Sequence, residues 1–159
     1  MILPNHLLYT KEHEWIEFKD DLAIVGITDY AQSQLGDVIF VEFPQIGANL
    51  DIGSSFGEIE AVKTVSDLFA PISGNVISIN DEIENTPDLV NTDPYGEGWL
   101  IKISPTKNEQ KEELMDADEY KKFISWMSVF QKLLDTIKIR GACYVILIDP
   151  DKKNDESIY

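Results

Sequence analysis

The chain has 159 residues, enough for one domain of ordinary size with an appendage. Its 13 basic and 29 acidic residues give a formal net charge of −16, which repels phosphate backbones and anionic membranes and suits partners with basic docking faces. The apolar fraction of 43% predicts a packed core, and no run reaches the roughly 18 apolar residues that a membrane span requires.

The single cysteine, Cys143, cannot form an internal disulfide, so a reducing, intracellular setting fits. The N-terminus, MILPNHLLYTKEHEW, has no basic segment followed by a long apolar one, and no Arg of the kind organelle transit peptides carry. The expectation is a soluble, cytoplasmic protein.

In chain order, Trp15 to Ile103 is a series of short apolar stretches. LAIVGIT, DVIFVEFP, SFGEIEAV, LFAPISGNVISI and GWLIKIS each read as a strand or strand pair, punctuated by Gly26, Gly36, Pro44, Gly47, Gly53, Gly74, Pro94, Gly96 and Gly98. Spacing of roughly 8 to 12 residues predicts an all-β sandwich or barrel rather than βαβ units. YAQSQLG, after Asp29, reads as one short helix. From Glu112 to Ile139 there is no Gly or Pro, and Tyr120, Phe123, Ile124, Met127, Phe130, Leu134 and Ile137 recur at helical spacing. That predicts an amphipathic helix whose first half covers an open sheet face. Cys143 to Ile148 then reads as an apolar strand without an evident partner, so the segment after Met127 is expected to be less well ordered than residues 1–125.

Lys63 is the only basic side chain from Asp20 through Ile101. It falls where one strand ends near Ala61 and the next begins near Val65. Tight hairpins favour Asn-Gly or Gly-Gly, because φ must be positive at the turn; Val62-Lys63-Thr64 offers neither. Schiff-base catalysis needs a desolvated lysine or a cationic neighbour, and Glu58, Glu60 and Asp67 work against both. Taken alone, the residue reads either as a solvated lysine balancing local acid, worth about 0 to 1 kcal/mol, or as a handle displayed for covalent modification.

LYTKEHEW at 8–15, VGITDYAQSQLGDVIFVEFP at 25–44, EAVKTVSD at 60–67, APISGNVISIN at 70–80 and LVNTDPYGEGWLIKI at 89–103 together resemble the glycine cleavage system H protein, a family of lipoyl carriers. The resemblance runs from about residue 2 to 125. It implies a lipoyl-type β sandwich (a barrel-sandwich hybrid) with a C-terminal helix, and lipoate joined by an amide to Lys63. It implies no enzyme activity of the chain's own. The partners it implies are a pyridoxal-phosphate glycine decarboxylase that loads the aminomethyl group, a folate-dependent aminomethyltransferase that unloads it, a dihydrolipoyl dehydrogenase and a lipoate-attaching enzyme. Glu60 and Asp67 are expected to be read by the last of these, and Glu14, Ile27 and Asp67 to form a cleft for the loaded arm. His13 is expected to be structural, packed near Trp15, and a carrier of this kind to be a monomer. Ala61 departs from the Ser often found there in the family. The alternative role is donation of lipoyl groups to 2-oxo-acid dehydrogenases.

The family normally ends near DADEYKKFI. Residues 126–159 are therefore expected to be an extra helix and strand. MSVFQKLLDTIKIRGACYVILIDPDKK resembles the opening of a prenylglyceryl-phosphate synthase, in which Asp149 or Asp151 would face magnesium and phosphate. That barrel needs roughly 200 residues, so no synthase activity is expected of this chain, whether the segment is the front of a fusion or a remnant.

Overall fold

A computed structural model describes residues 1–139, with side chains through 136. Two antiparallel sheets form a β sandwich. The first has six strands: β1 (Leu8–Tyr9), β2 (Glu14–Lys19), β3 (Leu22–Ile27), β9 (Ile101–Pro105), β8 (Gly74–Ile79) and β5 (Asn49–Leu50), in that spatial order. The second has three: β4 (Val38–Glu42), β6 (Ser55–Ala61) and β7 (Val65–Phe69). Alternation along the strands aims Ala23, Val25, Ile27, Val76, Ile101 and Ile103 of the large sheet and Val41, Ile59 and Leu68 of the small one into one shared core.

Two local sequences fix the large sheet. Asp20 and Asp21 join β2 to β3 with φ of 52° and 61°, the left-handed pair that matches the twist of a tight hairpin and that Asp tolerates. Gly26 pairs directly with Trp15, and a Cβ there would lie 2.5 Å from the Trp15 indole, whose Nε1 donates to Pro94 O at 2.9 Å. Gly26→Ala is therefore expected to destabilise by about 1–3 kcal/mol through overpacking, read as a lower denaturant midpoint with an unchanged slope. In the small sheet, the pairing of β6 is irregular at both ends, between Val38 and Phe40 of β4 and between Ser55 and Gly57.

Helix α1 (Asp29–Leu35) follows β3. Thr28 Oγ1 caps it, accepting from Ala31 N at 3.1 Å, and Gly36 ends it at φ 79°. One-turn helices α2 (Glu82–Asn85) and α3 (Leu89–Thr92) lie between β8 and β9, and a 3-10 helix at Asn108–Glu113 follows β9. The long helix α4 spans Ala117–Ile139, five residues later than the sequence predicts. The chain at Leu114–Met115 instead lies against β1, with Tyr9 N donating to Met115 O at 2.8 Å and Met115 N to Tyr9 O at 2.9 Å. Those bonds hold the backbone extended, which no helical periodicity can override.

Other differences have similar causes. LFAPISGNVISI splits into β7 and β8, which belong to different sheets. Gly26 and Gly74 lie inside strands rather than between them. β1, β2, β5, α2 and α3 carried no clear signal: four of these are four residues or fewer, and β2 buries consecutive residues, Glu14, Trp15 and Ile16, so it does not alternate.

The chain forms two compact units, the first Met1–Phe123 and the second beginning at Ile124. In the first, Ala117 and Tyr120 of α4 are buried, and Tyr120 stacks on Tyr9 with ring centroids 4.8 Å apart. In the second, α4 continues with Trp126 stacked on Phe130 at 5.3 Å. No helix among the described residues is long and apolar enough to cross a membrane. The expected strand Cys143–Ile148 and the carboxylates of Asp149 and Asp151 lie outside the described residues.

Candidate functional site

β6 and β7 form a hairpin whose turn is Val62-Lys63-Thr64. Ala61 N donates to Thr64 O at 2.8 Å and closes it. None of the turn residues has a positive φ, which explains how it forms without Gly or Asn. Lys63 is exposed at the tip and makes no ion pair among the described residues. Glu58, Glu60 and Asp67 thus form no ion pair with it. Glu60 pairs with Val65, nearest the tip, while Glu58 pairs with Asp67 further down.

Glu14, Ile27 and Asp67 line one cleft of about 220 Å³, together with His13, Tyr30 and Ile59. Three separate segments build it. The β2–β3 pairing sets Glu14 directly opposite Ile27, α1 brings Tyr30, and the edge strand β7 brings Asp67. Glu60 stands apart on the outer face of the small sheet. A larger cavity, about 580 Å³, lies at the other end of the large sheet, beside the Asp20-Asp21 turn. Neither Lys63 nor any of the other predicted residues lines it.

Glu14 dominates the electrostatics of the cleft. It is 1% exposed, with Thr10 Oγ1 donating to its Oε2 at 2.5 Å and Phe69 N to its Oε1 at 3.0 Å. Burial pushes its carboxyl up to about 7; the two hydrogen bonds pull the other way, and Glu12 adds to the rise. Because Phe69 belongs to β7, this one carboxyl also ties the edge of the small sheet to the large one.

His13 precedes it with φ 71°, a conformation in which His is enriched among non-glycine residues. Its ring lies against Tyr30, Tyr120 and Phe123, a different neighbourhood from the Trp15 site that the sequence suggested. Burial lowers its pKa, and its Nδ1 is 2.8 Å from Tyr120 Oη, which also contacts Thr28 Oγ1 at 2.8 Å. His13 is thus a neutral wall of the cleft.

Thr10, Tyr30 and the Phe69 N–H were missed from sequence. The signal for Thr10 is its place four residues before Glu14 in Thr-x-x-x-Glu, where a turn closed by His13 N donating to Thr10 O at 3.1 Å folds its hydroxyl back on the carboxyl.

Taken over its length, the chain is similar to known proteins of one family. Residues 7–127 match the family model described as glycine cleavage H-protein. The glycine cleavage system H protein of Bacteroides thetaiotaomicron is 53% identical over 125 residues, 79% of this chain and 99% of that protein. Its namesake in Halalkalibacterium halodurans is 50% identical over 123 residues, 77% and 96% of the two chains. The crystal structure of a glycine cleavage system H protein from Mycobacterium marinum superimposes with a TM-score of 0.69 at 42% identity, covering 74% of this chain and 95% of that one. The family match stops at residue 127 and lends no support to the synthase likeness of the segment beyond it. With most of its length and the whole of its sandwich matched in this way, the chain belongs to the glycine cleavage H-protein family.

Proposed function

We propose that this chain carries lipoate on Lys63 and moves the aminomethyl intermediate of glycine cleavage between the decarboxylase, the aminomethyltransferase and the dihydrolipoyl dehydrogenase. The observation that carries the reading is the pairing of an exposed, unpaired lysine at a hairpin tip with a cleft whose one buried acid is Glu14. When attached, lipoate supplies the sulfur that holds the aminomethyl group. The protein's own residues do the rest.

Lys63 Nζ is the attachment atom, and the hairpin keeps it clear of the core. Ile27 and Ile59 give the cleft apolar walls for a hydrocarbon arm. Glu14 is suited to an ammonium: a carboxyl that burial holds partly protonated near neutrality gains most from an opposite charge brought beside it. Its proton leaves as the ammonium arrives. Asp67, exposed at the rim, offers a second carboxylate on the way in. A tethered arm raises the local concentration of the intermediate at each partner's active site in turn.

The outer face of the small sheet favours recognition by a basic lipoate-attaching enzyme. Phe40, Glu60 and Val65 stand in one row across the three strands; two rows further, Glu42 and Glu58 stand opposite one another, with Asp67 of the cleft rim at the end of that row. Like charges set directly opposite one another are unfavourable, and these strands contain no basic residue to relieve them. A partner's cations would.

The deciding experiment is glycine–bicarbonate exchange by a glycine decarboxylase supplied with the lipoylated protein. Exchange that depends on this protein supports the shuttle. Lipoylated protein that supports none, yet passes its lipoyl group to a 2-oxo-acid dehydrogenase, would replace the reading with the donor role.

A further inference from the structure

The Lys63 turn has an attachment that a free-standing hairpin lacks. Val62 donates its N–H out of the hairpin to Asp37 O, at 3.1 Å. Asp37 lies in the loop between α1 and β4, and Asn91 of α3 grips that loop on both sides of it. Asn91 Nδ2 donates to Gly36 O at 2.8 Å, and its Oδ1 accepts from Val38 N at 2.9 Å. The same Nδ2 also donates to Gln32 Oε1 at 3.1 Å, on α1. Helix α1 is the wall of the cleft that presents Tyr30, Ala31, Gln34 and Leu35.

One half-buried amide therefore joins two parts of the site: the root from which the proposed arm springs and the wall against which it would dock. Both of its donor hydrogens are used, on two different oxygens. A carboxylate could not replace it, because both Gly36 O and Gln32 Oε1 are acceptors.

We propose that Asn91 is a positioning residue for Lys63. It fixes the 36–38 loop, the loop fixes Val62, and the lysine is held in one pose relative to the α1 wall. A tip that wandered would present the lysine correctly for only part of the time, and an enzyme's apparent affinity falls by that fraction while the chemistry within the bound complex does not change. The consequence for lipoylation rests on the function proposed above. The consequence for the hairpin does not.

Asn91→Asp separates the contributions, since it keeps the shape and the acceptor for Val38 N but loses both donors. In hydrogen exchange at low temperature, the Val62 amide is expected to exchange about tenfold faster, the effect of losing one ordinary hydrogen bond. The Ala61 amide, held by Thr64 O within the hairpin, is expected to be unchanged. With a lipoate-attaching enzyme, KM for the protein is expected to rise roughly three- to tenfold at constant kcat. Gly36→Ala strains the same loop from its other side, because φ 79° with ψ −156° is open only to glycine; it is expected to reproduce both effects without touching Asn91. Unchanged Val62 exchange in either folded variant overturns the proposal, as does a released Val62 with wild-type KM. If the wild-type protein accepts no lipoate, the kinetic measurement reports failure of the lipoyl reading, and the exchange measurement still decides the clamp.

Discussion

Lys63→Arg, made in cells supplied with lipoate, is expected to show no lipoyl mass increase at position 63 and no glycine–bicarbonate exchange, while keeping its stability within about 0.5 kcal/mol of wild type. The separation follows from where the side chain sits. Lys63 is exposed, makes no ion pair among the described residues, and leaves the turn's backbone bonds to Val62 and Thr64. Arg keeps the charge but offers a guanidinium that does not lose its proton in a protein, so it cannot form the amide. Intact mass with peptide mapping reads the modification, and thermal unfolding reads the fold. A lipoyl group found on another residue, or exchange that survives the substitution, would remove Lys63 from the proposal. A large loss of stability would instead give the lysine a structural role that its surroundings do not show.

Glu14→Gln is expected to have the second-largest effect, with opposite signs for stability and for docking. The folded pKa, about 7, lies above the ordinary value of 4.5, so between those limits the native state binds more protons than the unfolded one. Stability from this group is fully present below pH 4.5 and is lost as pH rises through 7, by on the order of 3 kcal/mol in total. Gln at this position removes that dependence. The variant should therefore be the more stable of the two at pH 8, and urea unfolding at pH 4.5 and pH 8 measures the difference.

Docking of an aminomethyl-loaded arm should go the other way. Glu14 must release its proton to pair with the ammonium, so in the wild type docking strengthens as pH rises through 7. The Gln variant should dock weakly, by roughly ten- to a hundredfold, the loss of one charge-assisted hydrogen bond, and with a flatter profile. NMR shifts of the Ile27 methyl groups against pH report both. A wild-type protein whose docking does not change across this range would sink the role given to Glu14.

The sequence carried the lysine and the sandwich more clearly than it carried the cleft. An isolated cation in an acidic stretch is visible to inspection, and the alternation of LAIVGI and GEIEA marks strands that face one core. Glu14 is different. Nothing in KEHEWIEF distinguishes a carboxylate 1% exposed from its neighbours Glu12 and Glu17, and only the family resemblance singled it out. Its burial depends on Phe69, 55 residues away, and on a sheet-to-sheet contact that no local pattern encodes. Asn91 was invisible for the same reason. In LVNTDP it reads as a turn former, while its partners Gln32, Gly36 and Val38 lie more than 50 residues earlier. The late start of α4 belongs to this class too, since Leu114 and Met115 have good helix propensity and are captured by β1 instead.

The irregular pairings at the two ends of β6 bear on how this part of the chain can vary in length. A bulge is a local defect that does not travel, so one at each end leaves the strand between them no freedom to slide. Adding or deleting a residue between Gly57 and Lys63 could not be absorbed by slippage. It would turn Ile59 out of the core or carry the lysine off the tip. Loops elsewhere tolerate insertion readily, but in this stretch the number of residues is as strictly required as their kind.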